Sequence, residues 1–277
     1  MNGIVLIDKE KNVTSRDVVN KVSNILKTKR VGHTGTLDPL ATGLLVLCIN
    51  EGCKLVELLT NHDKDYIAKV KMGVKTDTYD ITGNIIDENY DYILTEEELN
   101  KTLKSFLGEY NQKVPVYSAV KVNGKKLYEY ALNGISVEVP IHKVQIYKIK
   151  LLEYSNDSFT FFVTVSSGTY IRSLINDIGE KLHINMTMEE LRRTRVGHFD
   201  IKDASSYDDI RIIPIQDALK MEKIELDDNL YKKVINGAKI SDIYSSNMIL
   251  FIKNGKAIAI YKKDNNKMMR LYRKFNL

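Results

Sequence analysis

The order of apolar and polar positions changes period several times along the chain, and each change predicts an element. Gly3 to Ile7 is a short continuous apolar run and reads as a buried strand. Thr14-x-x-Asp17 then has the form of a capping box, and Val18, Val22, Ile25 and Leu26 recur at helical spacing behind it, so a helix is predicted to about Lys27. A glycine-rich stretch from Gly32 follows, and behind it Leu44–Ile49 is apolar without interruption, as a strand buried on both faces would be. From Tyr66 the period becomes two, with Tyr66, Ala68, Val70 and Met72 on one face and Ile67, Lys69 and Lys71 on the other.

A polar turn from Thr76 to Gly83 comes next. Asp77 and Asp80 lack the alternating ligands of a calcium loop, so this reads as a hydrogen-bonded turn. Thr95-x-x-Glu98 caps a helix whose apolar stripe is Leu99, Leu103, Phe106 and Leu107. Val114–Gly134 is irregular and leads into a short helix from about Lys126. The runs Lys143–Glu153 and Phe159–Ser166 read as a strand pair, followed by a helix carrying Leu174, Ile175, Ile178 and Leu182. Thr187-x-x-Glu190 predicts one more short helix, containing Leu191 and the arginines after it. Past Leu219, Asn236-Gly237 and Asn254-Gly255 are hairpin signals, and a small β-rich module closes the chain. The predicted division is a main domain over residues 1–220 and a small module over 221–277.

Composition narrows the class only modestly. At 277 residues, with 43% hydrophobic and 28% charged positions, the chain can bury a core without disulfides or metals. Cys48 and Cys53 have no partner histidines, so neither a disulfide framework nor a zinc site is indicated, and a reduced, cytoplasmic compartment is expected. No signal peptide and no membrane span is expected, since no run reaches the ~18 apolar residues a span needs. The net charge, 41 − 36 = +5, is mildly basic. Its distribution says more: Lys27, Lys29 and Arg30; Lys121, Lys125 and Lys126; Arg192, Arg193 and Arg195; and Lys262, Lys263, Lys267, Arg270, Arg273 and Lys274 in the tail. One such cluster is ordinarily a solvated face. Several, with tyrosines between, fit a phosphate backbone. The acidic stretch 87–98 is a face that RNA would avoid.

Candidate chemistry begins in GHTGTLDPLATGLL, Gly32–Leu45. Its glycines permit tight turning, and Asp38 is the only acid in it. An Asp-Pro pair ordinarily initiates a turn; the other reading is a catalytic carboxylate on a rigid loop held by a buried strand. No Gly-Lys-Ser/Thr follows, so this is not a phosphate-binding P-loop. Tyr66, Tyr170 and Arg172 sit at predicted strand or loop ends and, taken singly, are ordinary packing and surface residues.

Taken together these stretches resemble the TruB-type tRNA pseudouridine synthases. Gly32–Leu45 resembles the family's catalytic loop and Lys64-Asp65-Tyr66 the segment carrying its active-site tyrosine. Gly73–Gly83, Pro115–Tyr128, Ser167–Gly179 and Leu191–Phe199 follow in the family's order. The resemblance implies an α+β fold: a mixed-sheet pseudouridine synthase catalytic domain with a small β-rich, PUA-like, RNA-binding C-terminal domain. It implies conversion of uridine 55 in the T-loop of transfer RNA to pseudouridine by a protein needing no cofactor and no metal, with no obligate protein partner and a monomeric state. On the matching positions, Asp38 becomes the catalytic carboxylate, with Arg172 paired to it and Asp80 holding Arg172 from its other side. Tyr66 stacks on the target base, Tyr170 and Leu191 line the pocket, and His33 fills the space a flipped base vacates.

The chain departs from the family at Lys9-Glu10-Lys11-Asn12, where Lys-Pro-x-Gly is usual, at Val114-Pro115 for paired prolines, and at Leu132, where an arginine is frequent. Phosphate contacts are therefore expected to fall on Lys125, Lys126 and the tail, chiefly Lys262, Lys263 and Lys267. Two other readings share the scaffold: a catalytically idle RNA-binding or tRNA-folding protein, and an RNA-guided relative in a larger complex. The intact Asp38, Tyr66 and Arg172 count against the first, and the modest length counts against the second.

Overall fold

The structure, a computed structural model, describes residues 1–264 and 267–276. A ten-stranded mixed sheet runs through the main domain. From one edge its order is Ile213–Pro214, Gly3–Lys9, Thr42–Ile49, Met186–Val196, Lys64–Met72, Ser158–Val165, Ile141–Tyr154 and Gly108–Lys113; Val31–His33 and Phe199–Asp200 pair beside this path. Thr42–Ile49 and Met186–Val196 meet in parallel, through Arg192↔Thr42 and Arg193↔Gly43, while the other ladders of this sheet are antiparallel.

That parallel junction depends on one glycine. Gly43 has φ +104°, and a Cβ there would lie 2.2 Å from the Arg193 carbonyl oxygen and 2.7 Å from its nitrogen. Only a residue without a side chain lets the two backbones approach so closely.

The period-two reading of Lys64–Met72 holds: Tyr66, Ala68, Val70 and Met72 are buried, alternating with more exposed neighbours. They pack with Phe159, Phe161, Val163 and Val165 under the helices Glu96–Lys104 and Ile171–Leu182. The helix Ser15–Ile25 covers Val5, Ile7, Leu45 and Leu47 on the other half of the sheet. It starts as predicted: Asp17 N–H donates to Thr14 Oγ1 at 3.1 Å and Thr14 N–H donates to Asp17 Oδ2 at 3.0 Å. Such a cap contributes about 1 kcal/mol.

Three expectations are corrected. Thr187-x-x-Glu190 does not start a helix; it lies inside the strand Met186–Val196. Thr187 is fully buried, and its hydroxyl meets Thr76 Oγ1 at 3.1 Å rather than capping anything. Register shifts between Met188 and Glu190 and between Arg193 and Arg195 flip the strand's parity twice. The buried positions 186, 187, 188, 191, 193 and 196 therefore show no single period. Asn236-Gly237 is not a hairpin turn but the stop of the helix Asp228–Ile235, with Gly237 at φ +70° and Ala238 N–H donating to the Lys233 carbonyl. Lastly, the helix Glu96–Lys104 ends before Phe106, and Leu107 is 47% exposed.

The C-terminal module is a five-stranded sheet ordered Glu222–Glu225, Met248–Lys253, Lys256–Lys263, Met268–Lys274, Ile240–Ser241. Asn254 and Gly255, both at positive φ, make its predicted hairpin turn. It has a core of its own around Phe251 and Tyr261. It also shares one with the main sheet, where Leu250, Ala257, Ile260 and Phe275 pack with Leu44, Val46, Cys48, Leu55 and Leu59.

Candidate active site

The loop carrying Asp38 is fastened at three points. Arg193, 2% exposed, donates through Nε to the Leu44 carbonyl at 2.8 Å and through Nη2 to the Gly35 carbonyl at 3.0 Å. Ser15 Oγ donates to the Leu37 carbonyl at 3.1 Å and accepts from Leu37 N–H at 2.9 Å, satisfying both backbone groups of that residue. Lys9 Nζ donates to the carbonyls of Glu10 (2.9 Å), Val13 (2.6 Å) and Pro39 (3.2 Å). Burial pushes the Lys9 ammonium down to about 8, against the opposing pull of Asp38. The turn after it lacks the family's usual proline, and Asn12 makes it instead at φ +64°, sending its N–H to the Pro39 carbonyl at 2.8 Å. Asparagine is among the residues that tolerate this conformation.

Arg172 opens the helix Ile171–Leu182 and meets this loop from across the cleft. Its Nε lies 2.9 Å from Asp38 Oδ2 and its Nη2 3.4 Å from Asp38 Oδ1, a two-point grip on one carboxylate. The remaining donors go to the carbonyls of Thr78 (Nη1, 2.9 Å) and Tyr117 (Nη2, 3.0 Å), with Asp80 Oδ2 3.7 Å from Nη1. The Arg172 side chain is 6% exposed and that of Asp38 37%. The guanidinium is thus the buried half of the pair, and the carboxylate faces outward. Asp80 is itself held by Thr78 Oγ1 and Thr82 N–H, each at 3.0 Å.

Asp38 and Arg172 stand in a cleft of about 470 Å³, whose wall also includes Tyr66, Tyr117, Ser118, Tyr128, Tyr170, Leu191, Lys64 and Arg193. Asp38, Tyr66, Tyr170, Arg172 and Leu191 are therefore brought together, with Asp80 directly behind Arg172. His33, Lys125 and Lys126 are not in the cleft wall. His33 ends the strand Val31–His33, where its Nδ1 accepts from Gly35 N–H at 3.3 Å. Burial and then Arg193 and Arg16 hold its imidazole below the usual histidine range. Lys125 and Lys126 form the second strand of a small hairpin, after its Asn123-Gly124 turn and next to Tyr128, and Leu132 is 74% exposed on the short helix Leu127–Leu132. In the tail, Lys262, Lys267 and Arg270 are exposed. Lys263 instead pairs with Asp242 at 3.2 Å and Arg273 with Glu57 at 2.6 Å, so these two are engaged within the protein.

Sequence reasoning passed over three residues of the site. Lys64, 7% exposed, donates to the carbonyls of Thr60 (3.0 Å) and His62 (2.7 Å), and burial beside Arg193 pushes its ammonium down to about 8. Arg193 was counted as part of a surface cluster, whereas it is a buried staple. Gln112, 1% exposed, brackets Tyr170: Oε1 accepts from Tyr170 N–H at 2.8 Å and Nε2 donates to the Tyr170 carbonyl at 3.0 Å. Lys64 and Arg193 lie inside the Lys64–Tyr66 and Leu191–Phe199 segments that carry the resemblance, but nothing there singles them out, and Gln112, in the polar strand Gly108–Lys113, lies in none of those segments. Among the described residues no three His, Cys, Asp or Glu side chains gather as a metal site.

Known proteins bear on this geometry. Residues 23–171 match the model of the TruB family pseudouridylate synthase N-terminal domain, and residues 172–237 that of the tRNA pseudouridylate synthase B C-terminal domain. The chain is 41% identical over 272 residues to tRNA pseudouridine synthase B of Clostridium tetani, covering 95% of this chain and 93% of that one. It is 48% identical over 240 residues to the protein of that name from Caldicellulosiruptor saccharolyticus, covering 86% and 83%. In fold it is similar to a chain in the structure of an H/ACA RNP bound to a substrate RNA containing 2'-deoxyuridine, with TM-score 0.71 and 22% identity over 99% of this chain and 85% of that one. With a family model spanning the Asp38 loop, relatives matching nearly end to end, and a carboxylate gripped by a buried guanidinium in a tyrosine-lined cleft, the chain belongs to the TruB family of pseudouridylate synthases.

Proposed function

We propose that this protein isomerises uridine 55 in the T-loop of transfer RNA to pseudouridine, acting as a monomer in the cytoplasm. The observation that carries the reading is the buried Arg172 holding a half-exposed Asp38 at two points inside the cleft. A buried guanidinium costs several kcal/mol of desolvation unless it is paired, which a mere RNA-binding scaffold has no need to bear. The likeness to named tRNA pseudouridine synthases over most of the chain supports the same conclusion.

The reaction breaks the bond from C1′ to N1, turns the base and joins C1′ to C5. A proton leaves C5 and one is gained at N1, so nothing is consumed and no cosubstrate is required. A base inside a stack cannot reach Asp38, so the nucleotide is flipped out at a cost of a few kcal/mol. Stacking on an aromatic ring returns about 1–3 kcal/mol, and Tyr66 takes that role, with Tyr170 and Leu191 closing the pocket. Arg172 fixes both Asp38 oxygens, so the carboxylate acts from one orientation. Asp80 keeps the guanidinium from swinging away. His33, beside the loop rather than in the cleft, takes the space left in the RNA. Lys125, Lys126, Lys262 and Lys267 meet phosphates, the last two from the module formed by residues 221–277.

Asp38→Asn tests this reading. Modification of an unmodified T-arm hairpin is expected to fall below detection while RNA affinity changes by less than about tenfold, ~1.4 kcal/mol. Appreciable turnover by that variant, or none by the unaltered protein, would refute it.

A further inference from the structure

Gln112 stands where the main sheet ends. The strand Gly108–Lys113 is the last in the sheet order, and Gln112 is its one buried position, 1% exposed where the other residues of the strand face water wholly or in part. A primary amide in such a place needs partners at both of its ends. Its oxygen accepts from Tyr170 N–H at 2.8 Å, and its nitrogen donates to the Tyr170 carbonyl at 3.0 Å and to Tyr110 Oη. Two bonds to the backbone of one residue fix the orientation of the amide, because exchanging its nitrogen and oxygen would set donor against donor and acceptor against acceptor.

Tyr170 is the residue from which the helix Ile171–Leu182 starts. It has extended backbone angles, φ −100° and ψ 113°, and its carbonyl accepts from Leu174 N–H at 3.1 Å. Its own side chain makes no capping hydrogen bond to the first turn. A helix start is ordinarily fixed by such a cap. Here the fixing comes from the edge of the sheet, through Gln112. Two residues further on is Arg172, and the chain that leaves the Gln112 strand returns to it: the Tyr117 carbonyl accepts from Arg172 Nη2 at 3.0 Å. Residues 112–117 therefore hold Arg172 from both ends, its backbone origin through the Gln112 side chain and its guanidinium through the Tyr117 backbone. The same amide sets the backbone of Tyr170, whose side chain lines the cleft.

Resting on the proposed synthase reading, we infer that Gln112 is a positioning residue: by fixing the Tyr170 backbone at the helix start, it sets where the Arg172 guanidinium meets Asp38 and where the Tyr170 ring stands against a flipped base. Gln112 is buried and outside the cleft wall, so it touches neither the RNA nor the reacting atoms. Its loss leaves every charge and ring of the cleft present but lets their common origin shift. A displacement of about 1 Å at reacting groups costs on the order of 100-fold in rate. Capture of the RNA rests on phosphate contacts over a wider surface and hardly depends on that shift.

Gln112→Met keeps the length of the side chain and removes its hydrogen bonds, while Tyr110→Phe removes only the bond that does not reach Tyr170. Both variants lose buried hydrogen bonds, and both should melt lower than the unaltered protein. Rates are read well below the midpoints, with excess enzyme on a T-arm hairpin. Gln112→Met should then turn over at least about tenfold more slowly while its RNA affinity stays within about threefold. Tyr110→Phe should stay within about twofold in both, because the two bonds to Tyr170 remain. Gln112→Asn, whose amide ends one methylene short of Tyr170, should fall between the two in rate, and it decides the matter if Gln112→Met does not fold. A rate within about twofold in the folded Gln112 variants, an equal loss in Tyr110→Phe, or a loss of affinity as large as the loss of rate would each overturn the inference. Failure of the unaltered protein to modify the hairpin would instead refute the synthase reading, so the two failures are distinguishable.

Discussion

Replacing Arg172 with lysine keeps the charge and removes the geometry, which makes it a sharp probe of the Asp38 grip. The guanidinium makes three hydrogen bonds, one to Asp38 and one each to the carbonyls of Thr78 and Tyr117, and its Nε adds an ion-pair contact to the other Asp38 oxygen at 2.9 Å. A guanidinium spreads its donors over a rigid planar fork, while an ammonium concentrates its own at one point. Lysine at this position reaches either Asp38 or the two carbonyls, not both. Either the hydrogen bond and ion-pair contact to Asp38 or both carbonyl hydrogen bonds are lost, and each carbonyl left buried and unpaired costs about 1–3 kcal/mol. The expected destabilisation is about 3 kcal/mol, which for a chain of this size lowers the thermal midpoint by roughly 6–12 °C. The effect on rate should be larger than on stability. Asp38 is 37% exposed and loses the contact that orients it, and a misplacement of about 1 Å costs on the order of 100-fold. The assay is single-turnover release of tritium from C5 of the target uridine, run well below the variant's thermal midpoint, alongside thermal melts. A midpoint within about 2 °C of the unaltered protein together with a rate within about threefold would show that the charge alone matters and that the two-point grip does not.

Gly43→Ala should yield little folded protein, since its Cβ would lie 2.2 Å from the Arg193 carbonyl oxygen at φ +104°; near-normal yield and melting would contradict the close junction between the two parallel strands. Lys64 should make a contribution to stability that rises with pH between about 8 and 10.5. Lys64 is depressed to about 8 in the folded chain, so within that window the unfolded chain, at the ordinary 10.5, holds more protons. Melts of Lys64→Met at either end of the window should show a shallower rise than the unaltered protein, by on the order of 2–3 kcal/mol; an equal rise would place Lys64's titration in the ordinary range. Replacing Lys125 and Lys126 with alanine should weaken RNA binding and lower the salt slope by ~0.7–0.9 per contact with little change in single-turnover rate, whereas an unaltered slope would make them solvated residues.

Elements whose apolar residues kept one period were legible from the chain alone. The helix behind Thr14 and the strand Lys64–Met72 stand where hydrophobic spacing placed them, because local capping and one-sided burial agree there. Met186–Val196 was misread because two bulges move its buried residues from one parity to the other, and because Thr187 and Glu190 mimic a cap that tertiary pairing overrides. Asn236-Gly237 was ambiguous in principle, since one positive-φ glycine serves both a turn and a helix stop. For the site, motifs marked Asp38, Tyr66, Tyr170 and Arg172, which stand in one cleft. Lys64, Arg193 and Gln112 escaped because their work is done toward backbone carbonyls and amides, and a carbonyl partner leaves no signature in sequence.

The apolar cluster common to both sheets has a mechanical consequence. Leu250, Ala257, Ile260 and Phe275 interlock with Leu44, Cys48, Leu55 and Leu59, and Arg273 is tied to Glu57 across the same seam. A module on a flexible tether would search for its share of an RNA and pay an ordering entropy when it found it. Here the span between the Asp38 cleft and the exposed Lys262 and Arg270 is set before any RNA arrives. On the proposed function, the chain would be a caliper of fixed jaw width that measures the length and bend of a folded RNA rather than adapting to them.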